Sequence, residues 1–80
     1  MEFPGSLRPI QETKVYNEYD VVRLISKIPG SNIPIGARGT ILIIYQDSPG
    51  NFEVEFMSAN GQTFGVVTVS EDHLVKVEAK

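Results

Sequence analysis

Asn60-Gly61 lies between two segments rich in branched and aromatic side chains, FEVEFM (52–57) and TFGVVTV (63–69). An Asn-Gly pair suits the tight turn of a hairpin, because both residues tolerate the positive φ that such turns need. No other feature of the chain narrows the fold as much. A lone hairpin is marginal in water, so further strands must cover it. The first arm alternates cleanly: Phe52, Val54 and Phe56 share one face, and Glu53, Glu55 and Met57 share the other.

The remaining segments supply those strands. DVVRLI (20–25) places Val22 and Leu24 on one face and Arg23 on the other. GTILIIY (39–45) is apolar on both faces, which predicts a central or doubly covered strand. Pro49-Gly50 marks a bend before the hairpin. SEDH (70–73) has the form of one helical turn, with Ser70 as cap and acids in the first turn. LVKV (74–77) then reads as a short last strand. The order is strand, long loop, three-strand meander, helical turn, strand. It predicts an all-β domain, a small five-stranded SH3-like barrel with one short helical turn before the last strand. The barrel is expected over 19–80. Residues 1–18 are expected to be a flexible N-terminal arm, since Pro4, Gly5, Ser6 and Pro9 break any regular pattern. The expected core is Val22, Leu24, Ile41, Ile43, Val54, Phe56, Val66 and Leu74.

Composition narrows the function. The chain has 80 residues, enough for one small domain, and no cysteine, so neither a disulfide nor a thiolate metal site can staple it. Formal net charge is −3 with seven lysines and arginines, scattered along the chain. Nucleic-acid binders draw most non-specific affinity from a basic face, so this balance argues against them. No apolar run approaches the ~20 residues of a membrane helix. The start, MEFPGSLRPIQETK, lacks the basic and apolar regions of a secretory signal. A soluble, cytoplasmic protein without membrane contact is expected.

Gly36-Ala37-Arg38-Gly39-Thr40 invites comparison with a phosphate loop. That loop needs a lysine after its last glycine and a helix beyond it. Here a strand follows, so the glycines read as turn residues. One takes positive φ, and the other lets the chain enter the sheet closely. His73 is the single histidine and reads as a solvent-facing residue of the capping turn. One histidine without cysteines falls short of a zinc site, so no metal, cofactor or catalytic group is expected. Glu53 and Glu55 read as a solvated face or as an acidic docking surface. In the long loop 26–38, Ile28, Ile33 and Ile35 either plug one end of the barrel or form an apolar recognition patch rimmed by Lys27 and Arg38.

Several strings together resemble a known family. They are D-V-V-x-L at 20–24, G-x-x-G-T at 36–40, V-E-F at 54–56, N-G-x-T at 60–63 and T-V-S-E-D-x-L at 68–74. They look like a bacterial family of short proteins catalogued as a domain of unknown function. The resemblance implies an SH3-like barrel, and some members are encoded near toxin-like proteins. It implies no catalytic residue. The glycine-then-apolar strand is also similar to the ferredoxin-docking small subunit of photosystem I and to KOW motifs. The expected function is a non-enzymatic protein-binding or accessory module, antitoxin-like or part of a larger complex. Its partner is another protein, one that could be encoded nearby. The expected binding residues are Ile28, Ile33, Ile35, Arg38, Glu53 and Glu55. The alternative is a KOW- or Sm-like barrel associated with RNA or DNA, and a homo-oligomer stays open.

Overall fold

β1 (Val21–Leu24), β2 (Arg38–Ile44), β3 (Asn51–Met57), β4 (Thr63–Ser70) and β5 (Leu74–Lys76) form one antiparallel sheet in the order β4-β3-β2-β1-β5. The structure is a computed structural model and describes residues 15–77. Residues 1–14 of the expected arm lie outside the described residues.

The strands and the 3-10 turn Glu71–His73 fall in the expected order. The closed SH3-like barrel does not form. β4 and β5 are the two edges of the sheet, and no ladder joins them, so the sheet is open. Closure needs a last strand that reaches both neighbours. β5 has three residues and pairs with β1 alone. The order of elements along the chain does not determine that last pairing.

The core lies on the inner face. Val22, Leu24, Ile41, Val54 and Phe56 are fully buried there, as alternation predicts, and Leu74 joins them. With β5 short and the sheet open, the core takes additional cover from the β1–β2 connection, whose Ile28, Ile33 and Ala37 are buried against the strands. Tyr16 leans on Phe52 with ring centroids 5.1 Å apart and planes tilted by 55°.

Two expected core residues, Ile43 and Val66, face outward instead and are nearly half exposed. The reason is register. Ile41 pairs with Val54, but Ile43 pairs with Glu53, so Leu42 is an extra residue in β2. A bulge of this kind reverses the facing of everything beyond it. Ile44 therefore turns inward opposite Phe52, and Ile43 turns out. In β4 the inward residue opposite Phe56 is Gly65, which puts Val66 beside Glu55 on the outer face.

The glycine expectation also resolves. Gly36 takes φ +98° in the turn before β2. Gly39 enters the sheet so closely that a Cβ there would lie 2.6 Å from Val54 Cγ1 and 2.9 Å from Phe56 Cδ1. Close approach at Gly39 draws β2 onto the core at the point where Arg38 leaves for the outer face.

Candidate functional site

Val22 and Leu24 point into the core, so Arg23 between them points out. Its register partner on β2 is Arg38, which is likewise exposed, and Arg38 in turn sits opposite Met57 on β3. Two arginine side chains thus leave the same face from paired positions on adjacent strands. The turn at 34–37 and the hairpin at 58–61 rise on either side. Together they enclose an open cleft of about 680 Å³, whose lining includes Arg23, Arg38, Ile35, Ala37, Met57 and Phe64. The rim is unusually apolar for an exposed site: Ile35 is 62% exposed, Phe64 45% and Met57 37%. No aspartate or glutamate among the described residues lines the cleft.

Local geometry holds both walls. Arg23 Nη1 donates to the Gly36 carbonyl at 2.8 Å, tying the cation to the turn that carries Ile35. Gly36 N in turn donates to Leu24 O at 2.7 Å, so turn and strand are bound from both sides. In the hairpin, Ser58 N donates to Gln62 O at 2.7 Å, and the Ser58 hydroxyl donates to the Asn60 side chain. The Arg38 side chain makes no hydrogen bond or ion pair with the described residues. The one ion pair among them lies elsewhere, between Lys76 Nζ and Asp20 Oδ2 at 3.3 Å.

The opposite end of the outer face is acidic. Glu53 Oε1 accepts from Tyr45 Oη at 3.0 Å and from Thr68 Oγ1 at 2.7 Å. The bond to Glu53 holds the Tyr45 phenol above its ordinary value, with burial and the nearby carboxylate charge adding in the same direction. Burial, and then the charge of Glu71, raises Tyr16 in the same way.

The expected binding residues therefore separate. Ile28 and Ile33 lie in the core, with exposures of 9% and 5%, while Ile35 faces the cleft. Arg38 is in the cleft. Glu53 is bound to Tyr45 and Thr68, and Glu55 stands between Thr40 and Val66 in the middle of the outer face. Arg23, Met57 and Phe64 complete the cleft without having been singled out. Alternation had already put Arg23 and Met57 on outward faces, but only the strand register brings them to Arg38.

His73 is half-buried rather than solvent-facing, and its Nδ1 lies 2.8 Å from Ser26 Oγ. Beside it, Ile25 N donates to His73 O at 2.8 Å. The pair fastens the end of β1 to the 3-10 turn. Among the described residues no carboxylate hydrogen-bonds to the ring. No group of three or more His, Asp or Glu side chains converges among them either.

Fold and surface together define a small all-β domain: one open antiparallel sheet with a two-arginine cleft on its outer face. The chain belongs to the family of the domain of unknown function DUF4926, whose model matches residues 18–76. No curated protein and no solved structure was found to match it. Among the described residues no helix is long and apolar enough to cross a membrane.

Proposed function

We propose that this domain is a non-enzymatic protein-binding module, an accessory subunit or an antitoxin-like partner of another protein. It binds through the Arg23–Arg38 cleft and its apolar rim. The observation that carries the reading is the gathering of Ile35, Met57 and Phe64 around two cations at one end of the sheet. Exposed apolar side chains clustered with arginine are the composition of a protein interface core. Glu53, Tyr45 and Thr68 are engaged in fastening strands to one another.

The test is co-purification of the tagged full chain from its host at moderate salt, beside a variant carrying Ile35→Ser and Phe64→Ser. A stoichiometric protein partner lost with the double variant supports the reading. A partner that the variant retains moves the interface elsewhere.

A second reading, association with RNA or DNA, draws on the same adjacent arginines. A net charge of −3 and an apolar rim weigh against it. It requires nuclease-sensitive recovery of nucleic acid. It also requires a salt dependence that becomes shallower when Arg38 is replaced.

A further inference from the structure

Arg23 and Arg38 face each other directly across the β1–β2 ladder. Like charges in that position oppose folding. The described residues offer no carboxylate to either one, and Arg23 is held only by a backbone carbonyl. Elsewhere in the same small domain Lys76 pairs with Asp20, and Glu53 accepts from two hydroxyls. The two arginines both line the cleft, where no carboxylate of the described residues stands beside them.

The occupant follows from charge and shape. A carboxylate placed between the two guanidinium groups would accept from both, and each planar fork suits a carboxylate's two oxygens. Beside it the ligand must cover Ile35, Met57 and Phe64, which calls for an apolar body. Glu55 is the next outward residue along β3 from Met57, so it stands diagonal to Arg38. A polyanion laid across the face would meet that charge. A single acidic group flanked by apolar ones would not. Resting on the protein-binding reading above, we propose that the cleft receives an acidic-apolar peptide segment of the partner protein: an Asp or Glu between Arg23 and Arg38, with a neighbouring Leu, Ile or Phe against Ile35, Met57 and Phe64.

The experiment is selection of a random-peptide phage library on the folded full chain, with counter-selection on Arg38→Ala, followed by titration of the enriched peptides in synthetic form. The expected peptides carry Asp or Glu beside Leu, Ile or Phe. Their amide-shift footprint covers Arg23, Gly36, Arg38, Met57 and Phe64. Arg38→Ala weakens them by about tenfold or more, the order of one charge-assisted contact. Arg38→Lys, which keeps the charge and loses the fork, gives a smaller loss. It also guards against a trivial folding defect, since its spectrum must match that of the wild type.

Three outcomes overturn the proposal. Enriched peptides without an acidic residue, or with a footprint on another face, remove this assignment while a co-purifying protein would still sustain the broader reading. The absence of any enriched peptide removes it too. So does a footprint on the same residues that grows with protein concentration alone, which would seat a second copy of the chain in the cleft.

Discussion

The two ends of the outer face are built from similar parts and differ in one respect. At the Glu53 end the charge is bound: Tyr45 and Thr68 both donate to one carboxylate oxygen, linking the sequence after β2 to β3 and β4. At the Arg38 end two like charges stand together, and apolar side chains around them remain exposed. The first arrangement fastens strands together. The second leaves interactions unmade, and unmade interactions are what a partner can supply. Position on the same sheet therefore says little about role. The state of each charge says more.

The harshest way to test the comparison is to remove the support that both ends share. Phe56 is fully buried beneath the sheet and pairs with Gly39 on one side and Gly65 on the other. Phe56→Ala should cost about 3–5 kcal/mol, a large part of the stability of so small a domain. Urea unfolding followed by circular dichroism should show the midpoint collapse. Both ends should lose their native amide shifts together.

A smaller perturbation should separate the ends. Gly39→Ala puts a methyl group within 2.6 Å of Val54 Cγ1, and the backbone beside Arg38 must give way. The expected loss is about 1–3 kcal/mol. Amide shifts should move at Arg23, Arg38 and Met57 and hold at Glu53 and Thr68. Equal movement at both ends would mean that the sheet responds as one body, and the division drawn here would fail.

Gly39 also shows how far the sequence could be read. Its close approach to the sheet is legible from a glycine just before a run of branched residues. β3 is legible in full, because Phe52, Val54 and Phe56 alternate with polar residues and each takes its expected side. β2 and β4 are not, because apolar residues occur at neighbouring positions along both strands. Alternation then cannot assign a face, and the bulge at Leu42 decides it. The same limit applies to the cleft. Arg38 stood out as a cation beside an apolar loop, but its pairing with Arg23 belongs to the register. The contact between Ser26 and His73 joins residues 47 positions apart, and no local pattern announces it. Nor does any local pattern state whether the last strand closes on the fourth.

Alkaline titration reads the bound end directly. Tyr45 is held above its ordinary value of 10.0, first by its bond to Glu53. Between the ordinary and the raised value, the unfolded phenol has lost its proton and the folded one has kept it. The unfolded state then binds fewer protons, so stability falls as pH rises. What the bond contributes is complete below pH 10 and disappears as pH climbs through the folded value. Tyr45→Phe should flatten that decline in urea midpoints taken across the range. The share belonging to Tyr16, raised by burial, should remain. An unchanged decline in Tyr45→Phe would show that the Glu53 end is not fastened in this way.

The smallest change in stability should come at the other end, and its sign is the informative part. Truncating a bound side chain destabilises, because it leaves a partner unmatched. Arg38 has no such partner among the described residues, and it faces Arg23 across the ladder. Arg38→Ala should leave the urea midpoint unchanged or move it slightly upward as the repulsion is relieved. Added salt should shrink that difference by screening the same repulsion. A clear drop in the midpoint would show that Arg38 holds the sheet together, and the Arg38 end would then resemble the Glu53 end. An unchanged or raised midpoint would mean that the folded state does not need Arg38, as the proposed binding role requires.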